Sequence, residues 1–184
     1  MQNLLSTKEG WNKSMNKKIF ITNGMARCGK DTFATYLNEF VSTLKYSSID
    51  KVKEIATLCG WDGGKTEKDR KFLSDFKILT TDYSDMPFNA MKEKVSQFLN
   101  DEIHEIMLID IREPNEIEKA KIVFNAETIL IKNDRVDVIT SNDGDAGVFD
   151  YAYDYIIENN ETLEEFKNNV GIFYNEVIKN ESNK

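Results

Sequence analysis

The sequence predicts an α/β fold, a mostly parallel sheet covered by helices on both faces. Three observations carry this expectation. Short apolar runs rich in β-branched residues alternate with longer segments whose apolar residues recur at helical spacing. The strongest run, "EIMLIDI" at 105–111, is apolar at almost every position, as a strand covered on both faces must be. A glycine-rich turn stands between the first strand and the first helix. With 184 residues, 40% of them hydrophobic and 30% charged, the chain suits one domain that buries most of its apolar surface.

Residues 1–16 are polar and without period; they read as an appendage ahead of a single domain at 17–184. "KKIFITN" at 17–23 is the first strand, its β-branched and aromatic side chains suiting a buried pleat. From Lys30 to Leu44, the residues Phe33, Tyr36, Leu37, Phe40, Val41 and Leu44 recur at helical spacing, which predicts a helix starting at the turn. "KYSSID" at 45–50 is a short second strand. "KVKEIATLCG" is an amphipathic helix closed by Gly60, and "WDGGK" a turn. "TEKDRKFLSDFKILTTDYSD" at 66–85 is a long helix with Phe72, Leu73, Phe76 and Leu79 on one face. "PFNAMKEKVSQFLN" opens on Pro87, a residue suited to a first helical turn. Together these make a helical region over about 51–100. After the strand at 105–111, "EPNEIEKAKIVF" begins with a proline and acidic residues, a good helix start. "ETILIK" and "DYIIEN" are the last strands, and "ETLEEFKNNVGIFYNEVIK" is a closing amphipathic helix. Residues 132–150 are polar and turn-rich, a candidate lid.

Composition narrows the functions. The net charge is −8 with no basic block, which counts against nucleic acid, whose binding rests on neutralising phosphates. No apolar run reaches membrane-spanning length, and no stretch has the order of a secretory signal. Two cysteines, Cys28 and Cys59, are too few for a disulfide framework, so a cytoplasmic protein is expected. A lone histidine, His104, speaks against a His-based zinc site or a Ser-His-Asp triad and reads as surface. A small phosphorylated ligand stays open, because a few local positive groups suffice to hold one.

The stretch "NGMARCGKDT" spaces its residues as Gly24-x-x-x-x-Gly29-Lys30. Glycines there permit backbone shapes that aim several N–H groups at phosphate oxygens. The following helix adds the positive end of its dipole. The spacing alone is a weak signal; a strand before it and a helix after it are the context that supports it. Gly24, Met25, Ala26, Arg27, Cys28, Gly29, Lys30, Asp31 and Thr32 are thus the candidate phosphate-binding loop, which the resemblance given below assigns to ATP, with Lys30 as the point charge on the outer phosphates. Asp31 stands where a hydroxyl residue usually holds magnesium. It serves either as a helix-dipole or capping group or as an oxygen ligand to Mg2+, and its negative charge repels a triphosphate unless a cation lies between them. Thr32 supplies a hydroxyl. Arg27 either touches phosphate or faces outward. Cys28 reads as a small filler whose place beside a helix N-terminus would lower its pKa.

Ligands in open parallel sheets sit at the carboxyl ends of strands. Asp110 ends the apolar run and is expected to face the glycine loop, holding magnesium or else capping the next turn. Arg112, two residues on, is expected on the same side, paired with Asp110 or clamping a phosphate. Asp50, Lys53, Arg70 and Arg135 are further candidates, each weighed against a plain surface charge.

"FITNGMARCGKDTFATYL", "SIDKVKEIA", "KDRKFL", "LIDIREPNEIEKAK" and "YDYIIENNETLEEF" together resemble, in order, the phage and bacterial deoxynucleoside monophosphate kinases, over about residues 18–175. The pairing of G-K-D-T with D-x-R-x-P-N-E is far more specific than the glycine loop. The resemblance implies a three-layer P-loop NTPase fold of the nucleoside monophosphate kinase type, with a helical substrate region and a lid. It implies phosphoryl transfer from ATP, with Mg2+, to a (deoxy)nucleoside monophosphate. The chain would act on a small molecule as a monomer or homodimer. By motif, Asp50, Lys53, Arg70 and Arg112 would lie on the substrate side. Lys30, Arg112 and Arg135 would serve catalysis, and Asp31, Thr32 and Asp110 the metal. Two features depart from the family: residues 132–150 show no matching lid motif, and "GWDGGKTEKDRKFLSDFK" is distinctive, pointing to a divergent branch. Rival readings are another small-molecule kinase with a G-K-D loop, such as one acting on phosphomevalonate, a non-catalytic nucleotide sensor, and a domain that uses no nucleotide.

Overall fold

The computed structural model describes residues 17–136 and 147–180; the expected appendage at 1–16 and the middle of the candidate lid lie outside the described residues. In chain order the elements are β1 (Lys18–Asn23), α1 (Lys30–Phe40), β2 (Thr43–Ser47), α2 (Asp50–Leu58), α3 (Glu67–Ser84), α4 (Met86–Leu99), β3 (Ile106–Asp110), α5 (Pro114–Phe124), β4 (Glu127–Lys132), β5 (Tyr155–Glu158) and α6 (Leu163–Phe173). A π-helical segment, Tyr174–Lys179, continues α6.

The strands form one sheet in the order β2-β3-β1-β4-β5, and every neighbouring pair is parallel. Alternation along the pleat divides the apolar side chains between two faces. Phe20, Leu108, Ile129 and Ile131 join Phe33 and Leu37 of α1 and Phe166, Val170 and Phe173 of α6 in one core. Ile19, Ile21, Met107 and Ile109 join Phe88, Met91 and Phe98 of α4 and Ile117 of α5 in the other. Three layers follow, as the alternating sequence predicts. Phe20 is wholly buried on the central strand, with its ring edge-on to Tyr155 and Phe173 at centroid separations of 6.3 and 5.5 Å.

Helix starts follow their local chemistry. Thr66 with Asp69, and Thr162 with Glu165, close reciprocal capping boxes on α3 and α6. Prolines stand in the first turns of α4 and α5. At α1 the capping position is Gly29, and no side chain caps it.

Three expectations change. The first helix ends at Phe40 rather than Leu44, and the second strand spans Thr43–Ser47 rather than 45–50. Val41 is extended, the Asn38 side chain accepts the Thr43 N–H, and Thr43 and Leu44 pair with Ile106 and Met107, so sheet pairing overrides the helical spacing. The closing helix changes pitch after Phe173. Finally, the apolar stripe of α3 builds no core: α3 packs against α2 and α4, but none of its residues is buried, and Leu79 is 64% exposed.

Phe20→Ala is therefore expected to cost about 3–5 kcal/mol in urea unfolding, whereas Leu79→Ala changes stability by no more than about 0.5 kcal/mol. Comparable losses at both positions would show α3 to be part of the core.

Candidate functional site

The glycine loop leaves the carboxyl end of the central strand and enters α1. Gly24 and Gly29 have φ of 145° and 108°, and Arg27 has φ of 66°, so the loop turns through left-handed conformations. Space is as limiting as φ. A β-carbon on Gly24 would lie 2.4 Å from the Ile131 carbonyl oxygen, and one on Gly29 would lie 2.5 Å from Asn159 Nδ2. The loop is anchored at both ends. The Gly24 N–H donates to Asn23 Oδ1 at 2.7 Å, and Asn23 Nδ2 donates to the Tyr153 hydroxyl at 2.7 Å and to the Arg112 carbonyl at 3.2 Å. Asn159, buried at the end of β5, donates from Nδ2 to the Cys28 carbonyl at 2.9 Å. With no side-chain cap, the first N–H groups of α1 are left for an anion.

Lys30 folds over this loop, its ammonium donating to the Gly24 carbonyl at 2.6 Å and the Met25 carbonyl at 3.1 Å. Cys28 is buried beneath it. Burial pushes the thiol above its ordinary value, although Lys30 pulls the other way. The expected lowering beside a helix N-terminus is thus overturned by desolvation.

Asp110 ends β3 opposite Thr22 of β1, and the Thr22 hydroxyl donates to Asp110 Oδ1. Its other oxygen, Oδ2, lies 2.9 Å from the Lys45 ammonium, which also pairs with Asp31. The loop helix and the strand end therefore meet through one cation. The Lys45 hydrogen bond holds the Asp31 carboxyl below its ordinary value, against slight burial and with further attraction from Lys45, Lys30 and Lys53. Burial opposes the charge on Lys45, yet the two carboxylates hold its ammonium above the usual lysine value.

Other candidates spread around this centre. Asp50 opens α2 and accepts the Ser47 N–H at 2.8 Å, with Lys53 3.9 Å away on the same helix. Arg112 is exposed, two residues beyond the end of β3. Arg70 is exposed near the start of α3 and makes no hydrogen bond or ion pair with the loop among the described residues. Arg135 donates from its guanidinium to the Asn159 carbonyl at 3.1 Å, which ties it to the residue that holds the loop.

Sequence reasoning missed Lys45, Asn159 and Lys77. Lys77 lies 2.9 Å from Glu113 and 2.8 Å from Glu116, joining α3 to the start of α5. Its position on the stripe of Leu73, Phe76 and Thr80 was a legible sign that it points inward. Lys45 carried no such sign: it lies in the strand expected at 45–50, but which side chains it meets is set by the register with β3. Burial, with the Glu113 carboxylate alongside, pushes Glu116 up to about 7 despite Lys77.

No protein-family model matches the chain, and no curated protein matches it either. Solved structures share its fold. A dephospho-CoA kinase from Campylobacter jejuni superposes with a TM-score of 0.53 and 17% identity, covering 89% of this chain and 98% of that one. A shikimate kinase from Aquifex aeolicus gives 0.50 and 12%, covering 85% and 96%. At these identities the likeness establishes the three-layer α/β fold alone.

Two outcomes follow. Gly29→Ala places a β-carbon against Asn159 at a positive φ, and should destabilise by about 1–3 kcal/mol in urea unfolding. Glu116 binds its proton more tightly folded than unfolded, so its stabilisation is present below about 4.5 and is lost as pH rises through about 7. A melting-temperature scan of Glu116→Gln against the wild type should lack that decline; parallel curves across the window would contradict it.

Proposed function

We propose that the chain is an ATP-dependent kinase that transfers the terminal phosphoryl group to a (deoxy)nucleoside monophosphate, giving the diphosphate and ADP. The observation that carries this reading is the junction of an uncapped, doubly anchored glycine loop with Lys30 over it and the strand-end carboxylate Asp110 beside it. The acceptor class rests on the G-K-D-T and D-x-R-x-P-N-E motifs at Gly29–Thr32 and Asp110–Glu116.

The residues present suit a magnesium nucleotide. The glycines let the loop backbone pack directly on Ile131 and Asn159, where a β-carbon would clash, and Asp31, Thr32 and Asp110 offer hard oxygen donors, which that ion prefers. When bound, magnesium supplies neutralisation of charge on the outer phosphates. The protein's part is positioning and electrostatics, since phosphoryl transfer needs no covalent step on the enzyme. The loop amides from Gly24 to Thr32 orient the phosphates. Lys30 exchanges the Gly24 and Met25 carbonyls for phosphate oxygens, carrying its charge to the migrating group. Arg112, whose carbonyl accepts from Asn23, and Arg135, whose guanidinium donates to the Asn159 carbonyl, are the groups assigned to hold the acceptor phosphate and the developing charge. Asp50, Lys53 and Arg70, with the helices at 51–100, are assigned to the acceptor. The segment at 132–150 is assigned as a lid, closing over the acceptor to exclude water.

A second reading keeps the kinase chemistry and changes the acceptor. It is supported by the fold neighbours, a dephospho-CoA kinase and a shikimate kinase, whose acceptors differ.

Coupled ADP release across the common nucleoside monophosphates, with shikimate and dephospho-CoA as controls, should show stimulation by one monophosphate class. Lys30→Ala should lower that turnover by about 100-fold or more while leaving the ligand-free melting temperature near wild type. Undiminished turnover would remove Lys30 from the mechanism.

A further inference from the structure

Asp31 poses an electrostatic problem for any loop that binds phosphates. Its side chain is 95% exposed at the first turn of α1, where a polyphosphate would approach the free amides. A carboxylate there repels the ligand. The structure places the Lys45 ammonium of β2 against it. The sheet register explains how. Ser47 lies opposite Asp110 and Lys45 opposite Leu108, so Lys45 and Asp110 stand on the same face of neighbouring strands. From there the long side chain reaches Asp110 at 2.9 Å and spans to Asp31 at once. Lys30 does not fill this role: its ammonium is engaged with the Gly24 and Met25 carbonyls.

We propose that Lys45 is a positioning residue that makes the metal-free, aspartate-bearing loop compatible with polyphosphate, pairing with the Asp31 carboxylate and cancelling its charge until a metal takes that place. The proposal rests on the nucleotide-binding reading and deepens it. It makes Asp31 and Lys45 a matched pair: the lysine is needed because the aspartate is there. Lys45 acts through Asp31, not by direct contact with phosphate, so losing both should do less harm than losing the lysine alone.

The test is a double-mutant cycle read by binding. Dissociation constants for ATP and for inorganic tripolyphosphate are measured by calorimetry in EDTA, so that metal does not enter. Melting temperatures check that each variant folds. Lys45→Met should weaken both ligands about tenfold or more, and Lys45→Arg should retain most of the affinity. Asp31→Asn combined with Lys45→Met should return to within about threefold of wild type. Unaltered binding in Lys45→Met would overturn the proposal. So would a double variant as weak as Lys45→Met, or a tenfold tightening in Asp31→Asn alone. A wild-type chain that binds neither polyphosphate would overturn it as well. The kinase reading is judged separately: a chain that binds ATP with the predicted cycle but forms no ADP with any acceptor loses the reaction and keeps the pair.

Discussion

The site depends on the central strand β1 being paired on both sides. Parallel ladders to β3 and β4 leave β1 no freedom to slide, and they set Thr22 opposite Asp110 and Asn23 opposite Leu130. One residue further on, Gly24 must turn where the Ile131 carbonyl stands too close for any side chain. The fully buried Phe20, Ile21 and Ile109 hold this geometry by packing on both faces of the sheet. A shift of one residue along β1 would exchange its two faces and scatter the site together with the core.

Around that strand end the charges are arranged economically. Lys30 covers the loop carbonyls, and Lys45 bridges Asp31 and Asp110. Neither interaction is deeply buried, so each is worth little as a stabiliser in water. What they do is fix where positive charge stands at the carboxyl end of the sheet. Asn159 and Asn23 do the complementary work with neutral amides, holding the loop backbone from β5 and from β1. Amides suit this task because they anchor the loop without adding charge.

The helical region presents a different balance. α3 carries a stripe of apolar residues but buries none of them, and it is joined to α5 by Lys77 between Glu113 and Glu116. That connection runs into the D-x-R-x-P-N-E segment, which follows directly from Asp110. Its acid–base pair also ties that part of the molecule to pH.

Much of this was legible in the chain itself. Alternating apolar runs determined a parallel sheet with helices on both faces, and the Gly24–Lys30 spacing between a strand and a helix located the loop. "EIMLIDI" placed Asp110 at a strand end, which the sheet then sets beside that loop. These are local signals, set by periodicity and by the conformations glycine permits. What tertiary structure alone decided is pairing across the sheet. Helical spacing drew Leu44 into a helix, but the ladder to β3 claimed it for β2 and so aimed Lys45 at Asp110. Burial, a property of the whole fold, reversed the expected pull on Cys28. The contacts of Asn159 with Cys28 and of Lys77 with Glu116 join residues far apart in the chain. No local pattern encodes such contacts, because they exist only once the strands have chosen their neighbours.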